Sequence, residues 1–414
     1  MKNILKIKNK KYNVLIAPIH FFYTDKYGSE LLWAYKIFNK IKAREFINTQ
    51  GIVFEIIGKN NTDKLIYRGV TDKQYFYSLV DVARFLFFYT RKGLFFGREK
   101  KIDILHHILP FSINNTFNPL FFLWGSKIKK VIGPIQASLD YNEKNLSNNT
   151  AEDIFGQKKQ NFSIYFQKIF SSVFKFLSSR TLKRADRIIV INNVARECLK
   201  KENIDERKIL VIPPGIDIDK FNYTNFRNKS REILELITVG YLFERKGIEL
   251  IIKAMREVVC GNKKIILKIV GDGPQRKSLE KLVGELKLKD FVIFEGFIPN
   301  EKIQEYYQRA HIFVSMSRSE SWGQMYLEAM ACGLPIITTK NNGSNEIIKD
   351  NEFGYLVEQE DYNTLAEKVL YLSENQDVIR TFGEKARREV EDKYDWDKTI
   401  IPKYLDIYNE LLKK

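Results

Sequence analysis

Two glutamates separated by seven residues could do chemistry in this 414-residue chain. Glu320 and Glu328 lie in the segment ESWGQMYLEAMACGLPIITT, where a glycine follows the first carboxylate and apolar residues surround the second. Carboxylates accept hydrogen bonds from neutral hydroxyl groups. A helix that begins near the glycine would also present the free N–H groups of Trp322, Gly323 and Gln324 to an anion. Together these groups would suit a phosphorylated sugar.

The elements around the two carboxylates favour this interpretation. Residues 311–315 (HIFVS) form a predicted strand, the next residues a loop, and QMYLEAMAC a helix that ends at Gly333 before Pro335 begins another strand. Glu320 then lies at the carboxyl end of a strand, and Glu328 lies about one turn into the helix. The alternative is an exposed loop acid and a surface helix residue, which the spacing alone would not exclude.

Strand-length apolar runs alternate with helical patterns along the whole chain, as in a parallel sheet covered by helices. The predicted strands span residues 13–19, 52–58, 102–107, 129–135, 187–192, 235–242, 264–271, 291–296, 311–315, 335–339 and 354–357. A turn-rich segment that begins at Pro213 and Pro214 separates the two halves. We expect an α/β protein with two doubly wound, Rossmann-like domains facing a cleft.

Composition excludes several classes of protein. The hydrophobic content of 44% suits globular domains, and the three cysteines and four histidines show neither CxxC nor HExxH spacing. No signal peptide or membrane-spanning run of about 18 apolar residues is evident. The sequence therefore predicts a cytoplasmic protein without a metal site or a disulfide framework.

The positive charge lies in the first half. Residues 1–210 contain 37 Lys and Arg against 18 Asp and Glu, which leaves 31 against 33 of the totals of 68 and 51 for residues 211–414. The halves therefore carry about +19 and −2. Such asymmetry is typical of a surface that faces an anionic partner, either nucleic acid or a membrane; the alternative is a lysine-rich solvated surface.

The segment containing Glu320 and Glu328 resembles the donor-site motif of glycosyltransferase family 4, retaining enzymes of GT-B fold. Four further stretches resemble the family in the same order: VIPPGIDIDKF, VGYLFERKGIELIIKAM, IVGDGPQRKSLE and VIFEGFIP. The resemblance implies a first domain over residues 1–212 for the acceptor, a second over 213–395 for the nucleotide sugar, and a closing helix over 396–414 that returns to the first domain.

The resemblance also implies residue roles. Glu320 would contact hydroxyls of the donor sugar, Glu328 would hold the nucleotide ribose, and Lys246 would neutralise the donor diphosphate. Tyr241 stands where the family commonly has an arginine, and Arg245 is the candidate replacement. The remaining donor-site candidates are Gly28, Gly271, Gly273, Ser321, Trp322, Gly323 and Gln324.

Two of these assignments have simpler alternatives. Gly271 and Gly273 resemble the start of a dinucleotide fingerprint, but Arg276 stands where that fingerprint requires a small residue. We expect a tight turn near the nucleotide base, or an ordinary strand-to-helix turn. At Gly28 the family commonly has two glycines, and here Ser29 follows.

A histidine at the end of a first-half strand corresponds to the family's active-site histidine. His106 and His107 are both candidates, with His106 favoured because it lies three residues after Asp103. A near-neutral imidazole there would hydrogen-bond the sugar or assist at the acceptor hydroxyl. A structural histidine is the alternative.

Two basic and aromatic stretches, 84–101 and 162–184, are candidates for contact with anionic lipid. In the second, one helical stripe contains Phe162, Phe166, Ile169, Phe170, Val173, Phe174 and Leu177. A core-facing helix is the alternative for each stretch.

The resemblance thus implies a metal-independent, retaining glycosyltransferase that moves a sugar from a nucleotide-diphosphate sugar, UDP- or GDP-linked, to a hydroxyl of a saccharide or lipid-linked saccharide. It would be cytoplasmic or peripheral on the inner membrane face, and would need neither a cofactor nor nucleic acid. The alternatives are a GT-B epimerase or phosphorylase and, in another class, a basic nucleic-acid-binding protein.

Overall fold

Runs of β-branched and apolar residues form two six-stranded parallel sheets in this computed structural model. The structure describes residues 12–21, 29–44, 47–55, 90–91, 93–95, 101–108, 116–125, 127–136, 164–224 and 232–413. The chain divides into two units. Among the described residues, unit 1 contains those before Pro214 and those from Ile400 onward, and unit 2 contains those from Pro214 to Thr399.

Unit 1 contains a sheet in the order β2-β1-β3-β4-β5-β6. Its strands are β1 (Tyr12–Phe21), β2 (Ile47–Glu55), β3 (Ile104–His107), β4 (Lys129–Ile135), β5 (Arg187–Val190) and β6 (Ile209–Val211). Its helices are α1 (Ser29–Lys42), α2 (Leu120–Leu123), α3 (Ile164–Arg184) and α4 (Asn193–Lys201), followed by a 3-10 turn at Glu206–Lys208. Four of the strands predicted here are confirmed. The fifth, predicted over residues 52–58, overlaps β2 only at residues 52–55, and residues 56–58 lie outside the described ones. The three-residue edge strand β6 was not predicted.

Strand side chains and the faces of α2 and α3 form the core of unit 1. Leu15, Leu105, Ile132 and Ile188 from the central strands are fully buried against Phe121 of α2. Removing this apolar surface from water stabilises the unit. The last helix, α12 (Ile401–Lys413), also belongs to unit 1.

Unit 2 contains a sheet in the order β12-β11-β10-β7-β8-β9. Its strands are β7 (Leu234–Val239), β8 (Ile265–Val270), β9 (Val292–Gly296), β10 (Ile312–Ser315), β11 (Ile336–Thr339) and β12 (Gly354–Val357), so all six predicted strands are confirmed. Its helices are α5 (Ile248–Gly261), α6 (Arg276–Glu285), α7 (Ile303–Arg309), α8 (Gln324–Ala331), α9 (Asn342–Ile347), α10 (Tyr362–Glu374) and α11 (Gln376–Lys393). A 3-10 turn spans Glu244–Lys246, and a π-helical turn spans Trp396–Ile400.

Each sheet reverses its strand order once. The reversal lies between β1 and β3 in unit 1 and between β7 and β10 in unit 2. At such a reversal the loops leaving the two neighbouring strands turn to opposite faces of the sheet and open a crevice at the carboxyl edge, where ligands of doubly wound proteins bind. In unit 2 these loops are residues 240–247 and 316–323.

Candidate active site

The loop after β10 delivers the first carboxylate to the crevice of unit 2. Glu320 lies in this loop, and α8 begins at Gln324 with Gly323 as its N-cap, so the predicted start of the helix is confirmed. Gly323 has a φ of +85°, and a Cβ atom added there would lie 2.4 Å from the Tyr326 ring and 3.3 Å from Cγ of Glu320. The glycine is therefore required at this turn, and the Glu320 side chain lies beside the amino terminus of α8.

The loop after β7 delivers the cations. Lys246 ends the 3-10 turn, and Gly247 follows with a φ of +60°. A Cβ atom added at Gly247 would lie 2.2 Å from the carbonyl oxygen of Met316, so the loops after β7 and β10 are in direct contact. The two loops that flank the reversal thus bring Lys246 and Glu320 together although 74 residues separate them.

The Lys246 ammonium donates a 2.5 Å hydrogen bond to Oε2 of Glu320, and the two side chains are 12% and 15% exposed. Arg245 Nη1 lies 3.7 Å from the same oxygen and donates to the carbonyl of Ser319 at 3.2 Å. Two cations therefore flank one carboxylate, which leaves the cluster with a net charge of about +1 for an incoming anion. Tyr241 is exposed and packs against Phe243, with a ring-centroid distance of 4.3 Å.

Glu328 has a partner that the sequence analysis missed. The hydroxyl of Tyr307, on α7, donates a 2.9 Å hydrogen bond to Oε2 of Glu328. Tyr307 is fully buried, with its ring next to those of Phe221 and Phe313. Burial, together with the Glu328 charge, raises the pKa of Tyr307 well above its usual value, so the phenol remains a donor. Tyr307 therefore holds the Glu328 carboxylate in one orientation.

Several other predicted donor-site residues have contacts within unit 2. The Trp322 side chain is buried and packs edge-on against Tyr394, and Gln324 Nε2 donates to the Gly215 carbonyl at 3.1 Å. Ser321 is half-buried in the same loop. The Trp322 and Gln324 side chains thus support the loop, and what Trp322, Gly323 and Gln324 can offer a ligand is their backbone N–H groups.

The glycines after β8 are explained by packing. A Cβ atom added at Gly271 would lie 1.9 Å from the Gly240 carbonyl oxygen, and one at Gly273 would lie 2.7 Å from the Leu242 nitrogen. Both glycines let the turn after β8 pack on the loop after β7. Their predicted place beside a nucleotide base stays a prediction. Gly28 lies outside the described residues.

The near-neutral pKa expected for His106 is wrong. His106 is fully buried in β3, and its Nε2 lies 3.0 Å from the Gly133 carbonyl oxygen while its Nδ1 lies 2.5 Å from the Tyr408 hydroxyl of α12. Because a carbonyl only accepts, Nε2 carries the proton and Tyr408 donates to Nδ1. Burial lowers the pKa of His106 to about 3, although the Gly133 bond opposes this shift.

His107 faces the opposite side of the sheet, as alternation along a strand requires. It is also buried, and its ring lies 6.3 Å from that of Phe121. The described geometry gives both histidines interior positions in unit 1. A catalytic role for either histidine stays a prediction.

The predicted lipid-facing stripe lies on α3. Its described side chains are Val173, which is exposed, and Leu177, which is half-buried, whereas Ser178 and Leu182 face the core. Phe162 and most of the stretch 84–101 lie outside the described residues. No helix within the described ranges is long and apolar enough to cross a membrane. Nor does any group of three His, Cys, Asp or Glu side chains among the described residues form a metal site.

Comparison with known protein families decides the class. A family model described as glycosyl transferases group 1 matches residues 219–389, and one described as glycosyltransferase family 4 matches residues 147–220. Together they cover more than half of the chain. The chain therefore matches two models of glycosyltransferases, one of them described as family 4. Its two parallel-sheet, Rossmann-like units confirm the predicted α/β, GT-B fold.

Two sequence relatives and one solved structure illustrate the proteins to which this chain is similar. A putative colanic acid biosynthesis glycosyltransferase of Escherichia coli is 27% identical over 54% of this chain and 56% of its own length. The alpha-monoglucosyldiacylglycerol synthase of Streptococcus pneumoniae is 32% identical over 45% and 44%. The crystal structure of Anabaena HepE with UDP has a TM-score of 0.64 at 15% identity and covers 97% of this chain and 100% of its own.

The chain thus matches only about half the length of these two sequence relatives. The epimerase, phosphorylase and nucleic-acid-binding alternatives gain no support from any of these matches.

Proposed function

We propose that this protein is a retaining glycosyltransferase that moves a sugar from a nucleoside-diphosphate sugar to a hydroxyl of an acceptor. One observation carries the proposal: the 2.5 Å contact between Lys246 and Glu320 at the strand-order reversal of unit 2, beside the amino terminus of α8. A cation, a carboxylate and the backbone N–H groups at the start of α8 meet there, as a sugar attached to a diphosphate requires.

Each group has a task in this proposal. The diphosphate takes the place of Glu320 as the partner of Lys246, and Arg245 and the N–H groups of α8 add further positive potential. These groups stabilise the charge that develops on the leaving nucleoside diphosphate, so transfer needs no metal ion. Glu320, released from Lys246, accepts hydrogen bonds from the sugar hydroxyls, and Glu328 accepts from the ribose.

The substrates follow by analogy with the relatives. UDP in the Anabaena structure supports a UDP-sugar donor, with a GDP-sugar as the alternative. The name of the Escherichia coli relative supports a saccharide acceptor, and that of the Streptococcus pneumoniae relative, a synthase of a glucosylated diacylglycerol, supports a product attached to lipid. We place the protein in the synthesis of bacterial polysaccharide, lipopolysaccharide or glycolipid.

Calorimetric titration with UDP, GDP and ADP tests the donor class, followed by transfer assays with sugars of the nucleotide that binds. We expect saturable binding of one nucleoside diphosphate, weakened by Lys246→Ala. Lys281→Ala is the matched control, because Lys281 is an exposed lysine paired with Glu285 on α6. If none of the three nucleotides bound the folded protein, the proposed function would be rejected.

We also propose that unit 1 docks on an anionic membrane from the cytoplasmic side. Val173 and Phe176 are 48% and 56% exposed on α3. Arg180, Lys183 and Arg184 share that helical face, and the Arg180 guanidinium lies 4.8 Å from the Phe176 ring centroid. Apolar side chains among cations suit the interface of an anionic bilayer, where each cation adds about 1 kcal/mol.

Vesicle flotation tests the docking proposal. We expect the protein to float with phosphatidylglycerol-containing vesicles and to float less at high salt. It should not float with vesicles of phosphatidylcholine alone. Phe176→Asp should reduce flotation, whereas Tyr371→Asp, at an exposed aromatic of unit 2, should not. Flotation that is indifferent to lipid charge would contradict the proposal.

A further inference from the structure

Arg318 lies in the loop after β10, two residues before Glu320, and its side chain is only 16% exposed. All the guanidinium nitrogens are engaged. Nη1 donates to the Glu244 carbonyl at 2.5 Å, Nη2 lies 2.6 Å from Oε1 of Glu249, and Nε lies 2.6 Å from Oε1 of Glu360. The partners belong to the 3-10 turn that contains Lys246, to the first turn of α5 and to the segment after β12.

The main chain of the same residue is tied to the same turn. The Arg318 N–H donates to the Arg245 carbonyl at 2.8 Å, and Arg245 Nη1 donates back to the Ser319 carbonyl at 3.2 Å. On the other side, Gln359 Nε2 donates to the Arg318 carbonyl at 3.0 Å. The loops after β7 and β10 are therefore joined by reciprocal bonds between Arg245 and the Arg318–Ser319 backbone, and the segment after β12 is bonded to the Arg318 carbonyl.

The bonds have a direct consequence for Lys246 and Glu320. These two residues lie on separate loops, and the Lys246 side chain is flexible. The ammonium and the carboxylate therefore keep their separation when a ligand enters only if the backbones of both loops are fixed. The planar fork of arginine reaches three directions at once, which a lysine ammonium on a flexible stem does not reproduce. Hydrogen bonds to two carboxylates raise the pKa of Arg318, so its charge is permanent.

We propose that Arg318 is a positioning residue of the donor site. It clamps the loop after β10 to the turn Glu244–Lys246 and so sets the separation of Lys246 and Glu320 without touching the substrate. This proposal rests on the function proposed above, because it gives that site its rigidity.

Kinetics and hydrogen exchange test the clamp together. We expect Arg318→Lys to lower kcat on the intact donor at least tenfold, with a smaller change in KM, because the loops lose their fixed separation while the donor groups remain. Backbone amides of residues 240–250 and 314–322 should exchange faster, while the urea midpoint stays near that of the wild type. Arg256→Lys is the matched control, since Arg256 also donates to a backbone carbonyl, that of Leu286, away from the site.

A double-mutant cycle with Lys246 separates a positioning role of Arg318 from a merely structural one. In a Lys246→Ala background, Arg318→Lys should cause little further loss of kcat, because Arg318 acts through Lys246. If Arg318→Lys disturbs folding, Glu360→Gln removes one exposed anchor and should produce a smaller version of the same exchange change. Unchanged exchange in both loops, or full multiplicative loss in the Lys246→Ala background, would overturn the proposal.

Failure of the proposed function has a different signature. In that case the wild type would bind no nucleoside diphosphate, but the exchange measurement would still decide whether Arg318 joins the loops. Faster exchange in Arg318→Lys would then support the clamp, and unchanged exchange would reject it.

Discussion

The carboxyl edges of the two sheets hold polar side chains in contrasting states. In unit 1, His106 is fully buried and bonded on one side to the Gly133 carbonyl and on the other to Tyr408. In unit 2, the Lys246 and Glu320 side chains retain 12% and 15% exposure and are bonded to each other. Both edges are next to a strand-order reversal, so topology alone does not separate a binding site from an interior network.

The hydrogen-bond partners of His106 differ in kind from those of Lys246 and Glu320. The two bonds of His106 satisfy groups of the protein itself, and breaking them would leave a buried carbonyl and a buried hydroxyl without partners, which is costly. Lys246 and Glu320 are bonded to each other, and a diphosphate and a sugar hydroxyl would supply a new partner to each, so that neither group would be left unpaired. A ligand can therefore take over Lys246 and Glu320, whereas His106 serves to hold α12 on unit 1.

Breaking the ion pair should give the largest effect. We expect Lys246→Ala to lower kcat/KM on the intact donor by about 10²–10³-fold, because the leaving diphosphate loses a preorganised cation. Glu320→Gln replaces the carboxylate with a neutral amide of similar shape and should reduce turnover. The affinity of this variant for the free nucleoside diphosphate should stay close to that of the wild type. Steady-state kinetics and calorimetry separate the two effects.

Stability is the control for both substitutions. The two side chains are only 12% and 15% exposed, so Lys246→Ala should lower stability by about 1–3 kcal/mol, while Glu320→Gln, which keeps an acceptor oxygen, should lower it less. A fall in stability proportionate to the fall in activity would make the pair structural and would remove the contrast with His106.

Acidification should instead lower the stability that the buried His106 supplies to unit 1. Burial lowers the pKa of His106 to about 3 in the folded protein, whereas an unfolded histidine titrates near 6.5. Below about pH 6.5 the unfolded state therefore binds the proton more readily, and the stability supplied by the neutral imidazole is lost progressively until about pH 3. The loss is roughly 1.4 kcal/mol per pH unit, or about 2 kcal/mol between pH 6.5 and 5.

Urea unfolding at pH 7.5, 6.5 and 5 measures this loss against His106→Asn. The variant should be less stable at pH 7.5, since it disturbs two buried hydrogen bonds, and the gap should narrow by about 2 kcal/mol at pH 5 because asparagine does not titrate. Tyr408→Phe keeps the histidine and should keep the wild-type slope. A gap that is independent of pH would mean that His106 is accessible to protons in the folded protein.

A structural feature could be predicted from the sequence when its signal lies within one short segment of the chain. Period-2 and period-3.6 patterns lie within one element, and eleven strands and the α8 turn were predicted from them. Glu320 and Lys246 were found because each belongs to a contiguous motif. The bond between His106 and Tyr408 spans 302 residues, and Arg318 meets Glu249 and Glu360 at separations of 69 and 42 residues. No local pattern encodes such pairings, so the buried state of His106 and the clamp required the structure.

Tyr307 gives the smallest expected effect in this comparison, since it is a buried side chain that orients the more accessible Glu328. Glu328→Ala should weaken binding of the nucleoside diphosphate by about 1.5–3 kcal/mol, because a ribose hydroxyl loses a charged acceptor. Tyr307→Phe removes only the 2.9 Å bond that orients this carboxylate and should cost about 0.5–1.5 kcal/mol, or roughly two- to tenfold in Kd.

The phenyl ring keeps the packing against Phe221 and Phe313, so the urea midpoint of Tyr307→Phe serves as the control. In a Glu328→Ala background the tyrosine substitution should have no further effect on Kd, because the carboxylate that it orients is absent. Calorimetry on the four proteins of this cycle decides the matter. An equal loss in both backgrounds would show that Tyr307 acts on the nucleotide site independently of Glu328.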